Sequence, residues 1–133
     1  MILFLDTNIV IYVVEGHPIF GLPSQIRLSG ARMAGDTVMI SDLTRMECLV
    51  GPLRAGDSLR EAAFRVFFSA ASIQVVPITP LVCDRAALIR AVHRFKPMDA
   101  LQLAAAVEHG ADTFLTNDVR LRSFPDLTIE LLP

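Results

Sequence analysis

Ile2-Leu3-Phe4-Leu5-Asp6-Thr7-Asn8-Ile9-Val10-Ile11-Tyr12-Val13-Val14 opens the chain, and its reading decides the fold. Four apolar residues, Ile2–Leu5, run up to an acid, as a strand buried on both faces would. After Asp6 a helical stretch, Asn8–Val14, is apolar almost all round, so it is covered on two sides, by the sheet and by another element or subunit. The same alternation continues downstream. Val38–Ile40, Gln74–Ile78, Thr113–Leu115 and Thr128–Leu131 read as further short strands. About Pro23 to Met33, then Leu43–Ala55, Ser58–Ala71, Pro80–Arg94 and Met98–His109 read as helices. Pro97 starts the last of these and Gly110 is placed to end it. Strands alternating with helices predict one α/β domain: a central, largely parallel sheet of about five strands flanked by helices.

Composition bounds what such a domain does. The chain has 133 residues, enough for one domain with one buried core. Hydrophobic residues make up 53% and charged residues 20%, so disorder is excluded. Apolar runs such as Ile9–Val14 fall far short of the roughly 20 residues a membrane span needs. The pI of about 5.8 excludes binding to nucleic acid through bulk positive charge. Cys48 and Cys83 lie in apolar stretches and read as two buried thiols. His17, His93 and His109 are isolated, and no Cys/His spacing matches a zinc site. Met1–Asp6 lacks the basic start of a signal peptide, which points to a reducing, cytoplasmic setting.

In parallel α/β sheets, ligands bind beyond the carboxyl ends of the strands. Asp6 follows the first strand. Ser41 and Asp42 follow the second, with Glu47 one to two turns into the next helix. Asp99 is in the first turn of the helix leading to the fourth strand, and Thr116, Asn117 and Asp118 follow that strand. Each acid alone has a plain structural reading: Asp6 as a helix cap, Asp99 as a helix-dipole acid, Asp118 as a turn former. Glu47, among Met46, Cys48, Leu49 and Val50, needs a partner if its helix is buried. Together the four acids make one electrostatic problem. Converging carboxylates cannot all stay ionised without a counter-charge. An oxygen-only donor set favours a hard ion, Mg²⁺ or Mn²⁺, which can activate a water and hold a phosphodiester. Asn8, Ser41, Thr44, Thr116 and Asn117 are candidates to orient the acids, and Asn8 and Ser41 also fit as helix caps.

Four blocks then carry a family resemblance: Phe4-Leu5-Asp6-Thr7-Asn8-Ile9-Val10-Ile11, Ile40-Ser41-Asp42-Leu43-Thr44-Arg45-Met46-Glu47, Lys96-Pro97-Met98-Asp99-Ala100-Leu101-Gln102-Leu103-Ala104-Ala105-Ala106 and Gly110-Ala111-Asp112-Thr113-Phe114-Leu115-Thr116-Asn117-Asp118-Val119-Arg120-Leu121. In order, and over nearly the whole chain, they resemble the PIN-domain ribonucleases, most closely the VapC-like toxins of toxin–antitoxin pairs. The resemblance implies a single PIN-like domain whose metal-binding and catalytic acids fall on Asp6, Glu47, Asp99 and Asp118. Asn117 is an alternative for the fourth position. It further implies Mg²⁺- or Mn²⁺-dependent cleavage of RNA, a homodimer, and inhibition by a VapB-like antitoxin. Two other readings stay open on the residues: a non-catalytic PIN-like domain that binds RNA or protein, and an aspartyl-phosphate phosphotransferase using Asp6. The second lacks the usual second acid, because position 8 is Asn.

Arg45, Arg94, Lys96 and Arg120 are candidates to contact RNA phosphates, each alternatively a solvated surface charge. On Ser58–Ala71, Leu59, Ala62, Ala63, Val66 and Ala70 form one stripe. Phe64 and Phe68 fall on the other side. They read either as a patch for another chain or as the second face of a helix sandwiched between sheet and neighbour.

Overall fold

Strand β1 (Ile2–Leu5) lies at the centre of the sheet, where its unbroken apolar run requires it to be. In the computed structural model, which describes residues 1–133, β2 (Thr37–Ser41) and β4 (Thr113–Thr116) pair with it on either side. β3 (Ile73–Val76) and β5 (Thr128–Leu131) close the edges. The order is β3-β2-β1-β4-β5 and every pairing is parallel, as the alternation predicts. The three inner strands are buried along nearly their whole length; β5, at an edge, is only half-buried.

Alternation along the inner strands sorts the core into two layers. Leu3, Leu5, Val38 and Ile40 face α1 (Thr7–Glu15), α2 (Gly21–Met33), α3 (Asp42–Ala55) and α4 (Ser58–Ser69). Phe4, Met39 and Phe114 face the other way, toward α5 (Pro80–His93), α6 (Pro97–Glu108) and a 3₁₀ turn at Val119–Ser123. Phe4 and Phe114 stack across the β1–β4 pair with ring centroids 5.4 Å apart. α6 is buried nearly all round, and its Ala104-Ala105-Ala106 run leaves room for close approach. At its end Gly110 takes φ +80°, and the Gly110 and Ala111 amides donate back to the Val107 and Ala106 carbonyls, a left-handed stop that suits glycine.

α1 packs on α2, α3 and α4: its Ile9 and Val10 are fully buried, and Ile11, Tyr12, Val13 and Val14 are half-buried against the same core. Element boundaries shift by one or two residues from expectation. α5, for instance, stops at His93 because Arg94 adopts φ +58°.

Packing decides one open reading and overturns one expectation. Phe64 and Phe68 are 1% and 5% exposed, whereas Leu59 and Val66 of the opposite stripe are 84% and 71% exposed. A helix with two apolar faces buries the one with more area, and two phenyl rings outweigh a stripe made largely of alanine. Phe64 and Phe68 are therefore core, not a partner patch. Cys83 is exposed while Cys48 is buried, so only one of the two thiols belongs to the interior. Burial, with Glu47 alongside, pushes the Cys48 thiol up to about 12, which leaves it unreactive. No helix is long and apolar enough to cross a membrane.

Candidate active site

The strand order reverses at β1, whose neighbours β2 and β4 are reached by connections running to opposite sides, and the crevice at such a point is where parallel sheets bind ligands. Register delivers Asp6 there. Its amide continues the ladder by donating to the Leu115 carbonyl at 2.9 Å, which sets its side chain beside Thr116 at the end of β4. Asp6 also caps α1, accepting from the Thr7 amide at 2.9 Å, and Thr116 Oγ1 donates to its other oxygen at 2.7 Å. The cap reading of Asp6 holds on one oxygen, while the other is tied to Thr116.

Glu47 arrives from the second turn of α3, Asp99 from the first turn of α6, and Asp118 from the start of the 3₁₀ turn after β4. All four acids line one cleft of about 450 Å³, with Lys96 and Arg120 as its only cations. Burial, opposed by the hydrogen bonds from Thr116 and Thr7 and reinforced by Asp99 and Glu47, pushes the Asp6 carboxyl up to about 6. Burial likewise raises Asp99 against the pull of Arg120. Asp118 is lowered, chiefly by its hydrogen bonds from Arg120. The Arg120 Nε lies 2.9 and 3.1 Å from the two Asp118 oxygens, Nη2 also bonds Asp118, and Nη2 stands 3.7 Å from Asp99. Four carboxylates against two cations leave the cleft short of positive charge. No three of the acids are drawn close enough to hold an ion between them.

The remaining candidates separate. Asn8 is on the cleft wall and exposed. Ser41 and Thr44 are fully buried beneath the cleft, and Ser41 caps α3 by accepting from the Leu43 amide at 3.2 Å. Thr116 also accepts from the Asp118 amide at 3.0 Å, so one hydroxyl ties two of the acids. Asn117 is turned away from the cleft and donates to the Tyr12 hydroxyl at 3.1 Å, which leaves Asp118 as the acid facing in. Arg45 lies over the Phe68 ring, 5.3 Å from its centroid, and Arg94 is an exposed helix end; neither lines the cleft. The exposure of Met46 and Val50 shows α3 to be only half covered, and the partner Glu47 needs is Thr7, whose Oγ1 donates to Oε1 at 2.7 Å.

Thr7 and Gln102 carry no role in the sequence reading, yet both line the cleft and bond to each other. The available signal for Gln102 was its polarity: it is the only polar side chain between Asp99 and Glu108, three residues after Asp99 and hence on the same side of the helix.

Comparison with known proteins agrees with this architecture. The family model of the PIN domain matches residues 3–127. Among solved structures, the crystal structure of VapBC2 from Rickettsia felis bound to a DNA fragment from their promoter superposes with a TM-score of 0.84 at 20% identity, over 100% of both chains. A toxin–antitoxin complex from Klebsiella pneumoniae gives 0.76 at 23% identity over 94% of each chain. DNA-bound VapBC from Salmonella typhimurium gives 0.72 at 21%, over 100% of this chain and 99% of that one. At these identities the likeness is one of fold. No curated protein matches the chain.

Proposed function

The chain belongs to the PIN-domain family, a family of nucleases, and from that premise we propose that it is a Mg²⁺- or Mn²⁺-dependent endoribonuclease and the toxin of a toxin–antitoxin pair. One observation carries the reading. Four carboxylates from four separate segments meet in a single cleft at the switch point of the sheet, with too few cations to balance them.

The donor set fits a hard divalent ion: it is oxygen only, it carries excess negative charge, and Asp6 is held in a burial that an added cation would relieve. Asp6, Glu47, Asp99 and Asp118 would hold it. When bound, such an ion supplies a water of lowered pKa and neutralises charge on a phosphodiester. The chain's own residues do the rest. Thr116 and Thr7 hold Asp6 and Glu47 in place through their hydroxyls. Lys96 and Arg120, at the cleft, are set to take RNA phosphate oxygens, and Arg120 would release Asp118 in doing so. Arg45 and Arg94 stand outside the cleft, where they would contact only RNA that extends beyond it.

The toxin assignment is supported by the folds of the VapBC and toxin–antitoxin structures that superpose along nearly the whole chain. It brings a VapB-like antitoxin, a homodimer and a cytoplasmic setting with it. Exposed apolar side chains offer such partners surface to cover: Leu59 and Val66 on α4, and Leu81, Leu88 and Val92 on α5.

The test is cleavage of RNA by the purified chain, free of any partner, in Mn²⁺ or Mg²⁺. Asp6→Asn is expected to abolish cleavage with an unchanged circular dichroism spectrum, and so is excess EDTA. Full activity in either condition, or none in the unmodified chain, overturns the proposal.

A further inference from the structure

Beneath the cleft, a run of buried hydrogen bonds links three segments of the chain. Its direction follows from which groups can donate. Ser41 Oγ accepts from the Leu43 amide, so its own proton is free, and it goes to Gln102 Oε1 at 2.7 Å. That contact orients the amide. Gln102 Nε2 must then face the other way, where it donates to Thr7 Oγ1 at 3.0 Å and to Thr44 Oγ1 at 2.9 Å. Both amide protons are committed. Thr7 Oγ1, already an acceptor, has one proton and two neighbours in reach, Glu47 Oε1 at 2.7 Å and the Thr44 hydroxyl at 3.2 Å; the shorter contact and the carboxylate's charge draw the proton to Glu47. Reversing the amide would strand the Ser41 proton and draw the Thr7 proton toward Gln102, away from Glu47. Both losses would fall in a buried site, where unpaired polar groups are costly. Gln102 is 2% exposed and Ser41 and Thr44 are fully buried, so these groups depend on one another for partners.

We propose that Gln102 is a positioning residue for the acidic cleft: by donating to Thr7 it forces the Thr7 hydroxyl proton onto Glu47, and so fixes which Glu47 oxygen is tied back and which is left for a divalent cation. The inference rests on the metal-dependent reading above and adds to it a residue that acts on the acids through Thr7. It gives the only polar side chain of the α6 interior a function, and it couples Glu47 on α3 to the helix that carries Asp99.

The experiment titrates Mn²⁺ into the purified full chain by calorimetry. Gln102→Met, of similar length and helix propensity, is expected to weaken Mn²⁺ binding about 10- to 100-fold, the range seen for partners that orient metal ligands. Thr7→Val is expected to do the same, and the double variant is expected to be no weaker than Thr7→Val alone, because Gln102 acts through Thr7. Losses that multiply in the double variant overturn the inference. Should Gln102→Met fail to fold, Ser41→Ala, which frees the amide to turn over, is expected to weaken binding in the Thr7 chain but not in Thr7→Val.

A metal-free measurement separates the two proposals. The chain has three glutamines, and Gln25 and Gln74 are exposed references. By NMR, the Gln102 side-chain amide protons are expected to exchange far more slowly than theirs, with a Thr7 hydroxyl resonance that disappears in Gln102→Met. If the unmodified chain binds no Mn²⁺, the metal reading fails and these resonances alone decide the Thr7–Glu47 geometry. Exchange as fast as at Gln25 overturns the role of Gln102 whatever the metal result.

Discussion

Asp6 answers two demands that pull against each other. As a helix cap and hydrogen-bond acceptor it is built into the fold, and as a cleft acid it sits buried beside Asp99 and Glu47. The sign of the consequence is definite. Its carboxyl titrates near 6 in the folded chain against 3.8 ordinarily, so between those values the folded state keeps a proton that the unfolded state has released. Its contribution to stability is present in full below about 4 and is lost as pH rises through about 6, a cost on the order of 2–3 kcal/mol above that. In EDTA at pH 7, Asp6→Asn is therefore expected to melt a few degrees higher than the unmodified chain, with the difference vanishing near pH 4. Thermal melts across that range check it, and a lower midpoint for the variant at pH 7 would falsify the charge argument. The four acids were legible one by one: Asp6 and Asp118 follow strands, Asp99 opens a helix, and Glu47 stands among apolar neighbours. Thr7 and Gln102 were not: the lone polarity of Gln102 in its helix marks it as unusual, but neither it nor Thr7 shows locally that the two bond across 95 residues.

Helix α4 shows where element-level reading stops. Its existence follows from periodicity and from Asp57, which caps it by accepting from the Arg60 amide at 3.0 Å. Its orientation does not follow, because the helix carries two apolar faces and only the neighbouring elements choose between them. Phe64 and Phe68 go inward and stack 6.3 Å apart, centroid to centroid. Phe64→Ala is expected to cost about 3–5 kcal/mol, as large-to-small changes of a buried phenylalanine do. Leu59→Ser, on the exposed stripe, is expected to stay within about 0.5 kcal/mol. Denaturant unfolding of the two variants measures both, and equal losses would return the exposed stripe to the core. α6 was easier to read. Pro97 and Gly110 mark its ends and the alanine run its packing, although that pattern alone does not show which neighbour each side meets.

At the scale of the whole molecule, the slight acidity of the chain acquires a location. Of fourteen acids four line the cleft, and of twelve basic residues two, Lys96 and Arg120, do; the rest of the chain balances at ten against ten, so the net charge of -2 sits in the cleft. Filling the cleft with a cation should then stabilise the entire domain by mass action, by about 2.7 kcal/mol at a hundredfold excess over Kd. For a domain of this size that corresponds to a rise of several degrees in the melting midpoint. Mn²⁺ is expected to produce that rise in the unmodified chain and none in Asp6→Asn; scanning calorimetry with and without the ion reads it directly. An equal rise in both would place the ion elsewhere on the surface.

The alternation of short apolar strands with helices, and the acids at the strand ends, were determined by the sequence alone. They are set by local periodicity, by capping chemistry and by the rule that parallel sheets bind ligands at one edge. The tertiary structure alone decided that α4 turns its phenylalanines inward, that Asn117 faces Tyr12 while Asp118 faces the cleft, that Arg120 closes on Asp118, and that Gln102 reaches Thr7. Each of these depends on which distant segment competes for the same space or the same proton, and that competition exists only once the chain has packed.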